Sequence, residues 1–162
     1  MFRKMRRFRQ QLPEEESVQI LKEGSHAVLA LHGDDDYPYA VPVSYAYEDG
    51  KIYFHGAKAG HKVDAINKDE KVSLCVVAAD DVVASEATTY FKSVIAFGRV
   101  RQLTEGSEIR AAAVKLGEKY SHDYRERYMG DIDRQIGALA CFEISIEHLT
   151  GKEAVELTAK RR

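Results

Sequence analysis

The stretch that decides the fold lies at residues 37–62 and reads YPYAVPVSYAYEDGKIYFHGAKAGHK. Apolar and aromatic residues alternate through its first half, and this period of two is typical of a strand with one buried face. Asp49 and Gly50 follow, a dipeptide that favours the positive φ angles of a tight hairpin turn. Residues 51–57 then have the composition of a returning strand. We therefore predict a β-hairpin at this point in the chain.

A loop rich in small and cationic residues follows the hairpin, GAKAGHK at residues 56–62. Glycine and alanine let a ligand approach the backbone, and Lys58, His61 and Lys62 supply positive charge where a helix is predicted to begin. A site for a phosphate dianion requires these features. A solvated strand-to-helix loop fits the same residues equally well when they are taken alone. The glycine spacing departs from G-x-x-x-x-G-K-[ST], so hydrolysis of a nucleoside triphosphate is not indicated.

Length and charge restrict the class of protein. The chain has 162 residues and a formal net charge of −2, which predicts one domain over residues 1–162 and no broad field for nucleic acid or an anionic membrane. No apolar run approaches the roughly 20 residues that span a bilayer, and no signal-peptide pattern is present at the N-terminus, so we expect a cytoplasmic protein. Residues 152–162 form a charged tail.

The N-terminal arm, residues 1–12, is strongly basic and combines five arginine or lysine residues with two phenylalanines. Three uses are open: binding nucleic acid, lying on a membrane surface, or packing on a partner as a basic tail. Because the run has no apolar helical face, the basic tail is the favoured interpretation, and we expect neither a nucleic-acid nor a membrane partner.

Other reactive side chains give little indication of catalysis. Cys75 and Cys141 each lie in an apolar, strand-like run, which favours buried free thiols over a disulfide or a metal site. No serine lies in the G-x-S-x-G setting of a hydrolase. We expect no metal site.

The remaining patterns predict a mainly β protein with peripheral helices. Besides the two strands of the hairpin, strands are predicted at residues 26–32, 71–78, 93–103 and 138–147, with a bulge at Gly98. Helices are predicted at residues 13–24, 61–67 and 109–120. Residues 80–91 are interpreted as a flap at the sheet edge and residues 121–133 as a surface connection. Successive strands without β-α-β alternation predict a six-stranded antiparallel barrel.

The order of these strands, together with VPVSYAYEDGKIYFHGAKAGHKVDAI at residues 41–66, resembles the pyridoxamine 5′-phosphate oxidase-like FMN-binding split barrels. The nearest likeness is to the nitroimidazole-resistance (Nim-type) flavoproteins, and it extends over residues 5–153. The resemblance implies a split β-barrel that forms a homodimer with FMN at the subunit interface.

The resemblance also implies a set of cofactor contacts. The strand residues that would offer backbone groups to the flavin ring are Val41, Pro42, Val43, Ser44 and Tyr45, and Tyr45 would stack on the ring. The other implied contacts are His55, Gly56 and Ala57 to the ribityl chain, Lys58, His61 and Lys62 to the phosphate, and Asn67 and Ser93 elsewhere on the flavin. His61 is also the candidate catalytic residue, as a proton donor to a bound substrate.

Departures from the oxidase narrow the expected function. The arginine and the lysine that the oxidase carries on the strand at residues 40–45 are missing, as are its tryptophan and its C-terminal arginine motif, so pyridoxamine phosphate oxidation is not expected. We expect an FMN-dependent reductase of a small organic acceptor such as a nitroaromatic, with NAD(P)H as a transient donor. The alternative is a non-catalytic flavin store or electron carrier. FAD, deazaflavin and haem are the less favoured cofactors.

Overall fold

The computed structural model of the protein describes residues 1–161. The helices are α1 (Glu14–Glu23), α2 (His61–Lys68), α3 (Gly106–Ser121), α4 (Arg125–Gln135) and α5 (Val155–Arg161). The strands are β1 (Ala27–His32), β2 (Pro38–Val43), β3 (Ala46–Glu48), β4 (Lys51–Gly56), β5 (Lys71–Val83), β6 (Thr88–Gln102) and β7 (Ala140–Glu153). The mainly β architecture with peripheral helices is as predicted.

The strands form one antiparallel sheet in the order β2-β1-β5-β6-β7-β4-β3. β2 and β3 lie at opposite ends of this order although only Ser44 and Tyr45 separate them in the chain. The sheet must therefore curl until its two ends meet at this corner. Within residues 1–161 no ladder joins β2 to β3, so the barrel is closed at the corner and split beyond it.

The prediction of six strands was wrong by one, and the corner explains the difference. The alternating pattern runs without interruption through Ser44 and Tyr45, because alternation records which face a side chain occupies and not where the strand bends. The first half of the predicted strand pairs with β1 and the second half pairs with β4. The hairpin turn itself is confirmed, with φ angles of 46° at Asp49 and 78° at Gly50.

β5 and β6 extend further than predicted. Residues 80–91 do not leave the sheet as a separate flap, because Asp80 pairs with Phe91 and Val83 pairs with Thr88. A short 3-10 turn closes this hairpin, with Ala87 in the left-handed region at φ 50°. In the C-terminal half of β6, the register against β7 shifts at Gly98, which confirms the predicted bulge.

Alternate side chains of the central strands fill the barrel. In β6, Val94 and Ala96 are buried, whereas Ile95 between them faces outward. Phe54 of β4 and Phe142 of β7 stack inside the barrel with 5.0 Å between ring centroids. These inward rows form one continuous core that also includes the buried faces of α1 and α2.

The outer face of the sheet carries apolar residues as well. Val28, Cys75 and Ile95 are paired across β1, β5 and β6, and Val77 on the same sheet is 56% exposed. Both cysteines are free thiols, as predicted, with Cys141 buried and Cys75 half-buried. A row of adjacent apolar residues is unusual on a sheet face that contacts only water.

α3 and α4 form a helical hairpin beside β4 and β7. α4 occupies most of the segment that we predicted to be a surface connection, so that prediction was wrong. Gly117 of α3 allows Tyr128 of α4 to approach closely, since a Cβ at this glycine would lie 2.4 Å from the tyrosine ring. The charged composition of α4 hid the helix, because only Tyr128 and Ile132 are buried.

Both chain ends pack against the sheet. Leu12, at the end of the basic arm, is buried, and its N–H donates to the Gly151 carbonyl at 3.0 Å. The charged tail begins in β7 and continues as α5, where Arg161 pairs with the buried Glu153. No helix within residues 1–161 has the length and apolar character needed to cross a membrane.

Candidate functional site

The loop between β4 and α2 ends at Gly60, whose φ of 126° requires glycine. The Gly60 carbonyl accepts the first helical bonds, from the N–H groups of Val63 and Asp64 at 2.9 and 3.1 Å. The N–H groups of His61 and Lys62 precede these bonds and point out of the helix end. The start of α2 therefore offers backbone donors and a partial positive charge to an anion.

Lys62 lies beside the end of β4. Its Nζ atom is 5.6 Å from the centroid of the Phe54 ring and would be 3.1 Å from a Cβ at Gly56. Burial lowers the pKa of Lys62, and within residues 1–161 no carboxylate pairs with this amine. Burial lowers the pKa of His55 as well, and the charge of Lys62 adds to this effect. A bound anion would supply the counter-charge that Lys62 lacks.

The three cations of the loop do not converge as the sequence suggested. His61 stacks on Tyr39, with 4.0 Å between ring centroids, and its Nε2 atom is 3.7 Å from Asp34 Oδ2. Lys58 donates to the Gly137 carbonyl after α4. Consecutive helical residues point about 100° apart, so His61 and Lys62 face different neighbours. Lys62 is the loop cation that lies with His55 and Gly56.

A cleft of about 430 Å³ opens between the barrel corner, β4 and the α3–α4 hairpin. Ser44 and His55 contribute polar groups from the sheet, and Tyr120 does so from α3. Leu116 and Leu139 give the opposite wall an apolar surface. The cleft thus combines an apolar wall with a few directed polar groups, which is the usual composition of a small-molecule site.

Tyr45 does not face this cleft. It is fully buried, and its ring is covered by the Nζ atom of Lys119, 4.0 Å from the centroid. The Tyr120 hydroxyl accepts a hydrogen bond from the Tyr45 N–H at 2.9 Å and lies 3.0 Å from its carbonyl. Stacking of Tyr45 on a flavin ring is therefore contradicted, and its backbone is already engaged. From Tyr39 to Tyr47 the odd-numbered residues point inward, so the alternation that predicted the strand also placed Tyr45 in the core.

The other predicted contacts fall in four places. Val41, Pro42 and Val43 belong to β2, an end strand of the sheet, where half of the backbone groups point away from β1. Asn67 is exposed near the far end of α2, about 9 Å along the helix from its start. Ser93 lies on β6 and opens into a separate pocket beside the N-terminal arm. Gly56 and Ala57 form the end of β4 and the start of the loop.

Sequence reasoning missed the contribution of α3. Tyr120 and Lys119 also fasten this helix to the connection between α1 and β1, since the Tyr120 hydroxyl donates to the Ser25 carbonyl at 2.6 Å and Lys119 donates to the Gly24 carbonyl at 2.5 Å. Burial lowers the pKa of Lys119 to about 8. The helical spacing predicted the helix and placed Tyr120 on its apolar face, but nothing in the sequence indicated which backbone groups its hydroxyl would reach.

Together these features define a class of protein: an antiparallel split barrel with a cationic strand-to-helix loop and an adjoining cleft. The model of the family described as pyridoxamine 5′-phosphate oxidase matches residues 13–153 of the chain. The chain therefore belongs to the pyridoxamine 5′-phosphate oxidase family.

Solved structures share the fold. One is a candidate 5-nitroimidazole antibiotic resistance protein from Bacteroides thetaiotaomicron, 17% identical, with a TM-score of 0.75 over 88% of this chain and 86% of that one. A second is an FAD-binding protein from Mesorhizobium loti, 25% identical, with a TM-score of 0.62 over 89% of this chain and 96% of that one. A third is an FAD and haem binding protein from Mycobacterium smegmatis, 17% identical, with a TM-score of 0.75 over 90% of this chain and 73% of that one.

Proposed function

We propose that this protein binds a flavin, FMN in the first instance, and uses it to reduce a small organic acceptor. The observation that carries the proposal is the position of Lys62, a half-buried amine without a carboxylate partner in the described chain, beside Gly56 and the start of α2. An ordinary solvated loop gives no reason to hold a cation there at the cost of desolvation. The FAD-binding protein from Mesorhizobium loti that shares the fold supports this interpretation.

The residues present fit a phosphorylated flavin. Lys62 and the free N–H groups at the start of α2 would hold the phosphate, and the small residues Gly56 and Ala57 would leave room for the ribityl chain. The outward backbone groups of β2 would pair with the polar edge of the ring. When bound, the flavin supplies the electron transfer itself, and the protein supplies binding, orientation and exclusion of water.

His55 lines the cleft and could serve as the proton donor that we had expected His61 to be. If the β3–β4 pairing continued by two residues, His55 would pair with Ser44. Both residues line the cleft together with Tyr120. Burial, with the charge of Lys62, lowers its pKa and so favours the neutral imidazole, which can donate one hydrogen bond to a bound acceptor. His61, paired with Asp34, remains a candidate for the phosphate end of the site.

The apolar outer face supports a homodimer with the cofactor at the interface. Val28, Cys75 and Ile95 form a row across three strands, with Val77 beside it. We propose that a second copy covers this face, because burying such a row removes apolar surface from water, which is worth roughly 25 cal/mol per Å². The exposed edge of β2 adjoins the same face and would bring the ring-binding backbone to the interface.

An anaerobic assay tests the reductase proposal. NAD(P)H should bleach the visible absorbance of the flavin-loaded protein, and a nitroaromatic should restore it while the nitroso product accumulates. The overall stoichiometry is R-NO₂ + NAD(P)H + H⁺ giving R-NO + NAD(P)⁺ + H₂O. Bleaching without recovery on addition of acceptors would instead assign the protein to flavin storage or electron transfer to a protein partner.

A further inference from the structure

The β4–α2 loop and the turn that joins α4 to β7, residues 136–139, leave the sheet side by side. Gly56, the last residue of β4, pairs with Ala140, the first residue of β7. Two residues further along the loop, the Lys58 amine donates a hydrogen bond to the Gly137 carbonyl of the turn. Lys58 therefore extends, through its side chain, the connection that the strand pair begins.

The α4–β7 turn carries part of the wall of the 430 Å³ cleft. Gln135 and Leu139, on either side of Gly137, both line this cleft. The hydrogen bond inside the turn is local, from the Ala138 N–H to the Gln135 carbonyl at 2.8 Å. In the described chain, Lys58 is the only side chain that forms a hydrogen bond with the turn. The position of this part of the wall thus depends on where the β4–α2 loop places Lys58.

The loop itself has few restraints of its own. Within residues 1–161, the backbone groups of residues 57–59 form no hydrogen bonds. A segment with so few backbone hydrogen bonds opens at a low cost in free energy. A phosphate held by Lys62 and by the N–H groups at the start of α2 would restrict this motion, because it would fix the end of the loop that leads into the helix.

We propose that Lys58 is a positioning residue that transmits occupancy of the phosphate site to the acceptor wall, so that the cleft becomes ordered only when a phosphorylated flavin is bound. The inference rests on the proposed flavin function. Its physical content is that a phosphate orders the loop, the ordered loop fixes Lys58, and Lys58 fixes the turn that carries Gln135 and Leu139. Cofactor binding would then precede acceptor binding, and a flavin without a phosphate would leave the wall mobile.

Hydrogen exchange of the full chain, loaded with either FMN or riboflavin, tests the proposal. Riboflavin has the same ring and ribityl chain but lacks the phosphate. The reporters are the amides of Ile136 and Ala138, which are hydrogen-bonded to the Ile132 and Gln135 carbonyls at 2.9 and 2.8 Å. They should exchange at least about fivefold more slowly with FMN than with riboflavin, the lower end of typical couplings between two sites. Both flavins are used at saturating concentration.

Three variants separate transmission through Lys58 from a general loss of structure. Lys58→Met keeps the length of the side chain but removes the donor, and it should abolish the difference between FMN and riboflavin. Lys58→Arg retains a donor and should restore the difference. Lys68→Met is the control, because Lys68 lies at the other end of α2 and donates to the Gly33 carbonyl at 3.5 Å. It removes the same charge and should leave the difference unchanged.

Several results would overturn the inference. Equal protection by FMN and riboflavin in the wild type would show that the phosphate does not reach the wall. Faster exchange with FMN would show that Lys58 leaves the Gly137 carbonyl for the phosphate. A full FMN effect in Lys58→Met would show that transmission does not use this amine. A protein that binds neither flavin would refute the proposed function itself, whereas one that binds both without a difference in exchange would refute only the role of Lys58.

Discussion

Replacing Lys62 by glutamine should weaken FMN binding more than any other single charge removal in the β4–α2 loop. A hydrogen bond to a charged group contributes about 1.5–3 kcal/mol, and we take the lower half of this range because the amine is only half-buried. The dissociation constant for FMN should then rise about 10- to 40-fold. The change is measured by quenching of FMN fluorescence as the apo-protein is added.

The matched control is Lys68→Gln. Lys68 ends the same helix, and its Nζ atom is 4.0 Å from Asp36 Oδ1 at the surface, so its removal changes the net charge equally without touching Gly56. It should change the dissociation constant less than about twofold. Similar losses in Lys62→Gln and Lys68→Gln would refute the reasoning, since the loop would then act only through general charge.

The pH dependence of FMN binding has a definite sign. Burial lowers the pKa of Lys62, so in the free protein the amine loses its proton at a lower pH than an ordinary lysine. Affinity for FMN should therefore begin to fall before the pH reaches the ordinary lysine value. The decline should be smaller in Lys62→Gln, because that variant lacks the titrating amine. Only titration of the flavin itself, which is common to both proteins, would remain.

Three further substitutions test the fold around the site. Glu143→Gln removes a buried carboxylate that accepts hydrogen bonds from Lys51 and Arg101, and it should lower the free energy of unfolding by about 1–2 kcal/mol at pH 7. Burial raises the pKa of Glu143, but these hydrogen bonds outweigh burial and the net shift is downward, so its stabilisation is present above about pH 4.5 and is lost as the pH falls. Tyr120→Phe removes the hydroxyl that bonds at the barrel corner and should cost about 1–3 kcal/mol. Gly98→Ala places a Cβ 2.3 Å from a β7 carbonyl and should cost about 2–4 kcal/mol.

Urea unfolding measures the free energy of unfolding of these three variants. Each variant has a control in which a residue of the same type is changed elsewhere in the chain. Glu147→Gln and Tyr124→Phe alter exposed side chains, and Gly106→Ala introduces a Cβ with nothing within 4 Å. Each control should change the unfolding free energy by less than about 0.5 kcal/mol. A Glu143→Gln protein as stable as Glu147→Gln, or one with unchanged acid stability, would contradict the burial argument.

The sequence predicted the elements that local periodicity and turn chemistry determine. The Asp49-Gly50 turn, the bulge at Gly98 and most strands follow from these signals. α4 was missed because charged residues dominate the segment and only two of its side chains are buried, so few apolar residues mark its inner face. The extension of β5 and β6 was missed because both of its faces are largely exposed, so burial imposes no alternation on its residues.

The candidate site was predictable in its location but not in its detail. The loop GAKAGHK was identified from small and cationic residues, yet the directions of Lys58, His61 and Lys62 depend on tertiary neighbours that no local pattern records. The participation of Tyr120 depends on a contact between residues 75 positions apart in the chain. Side-chain alternation indicated that Tyr45 shares a face with the core residues around it, and that observation should have argued against flavin stacking.

The most direct test of the central claim is the near-ultraviolet and visible absorbance spectrum of the purified protein, with mass spectrometry of any chromophore released by heat or acid. The account predicts a two-banded flavin spectrum, a released mass equal to that of FMN, and a lower flavin content in Lys62→Gln. The mass of FAD would correct the cofactor, a single band at the blue edge would indicate a deazaflavin, and a sharp Soret band would indicate haem. A colourless protein that also fails to take up added FMN would contradict the claim that this barrel is a flavin site.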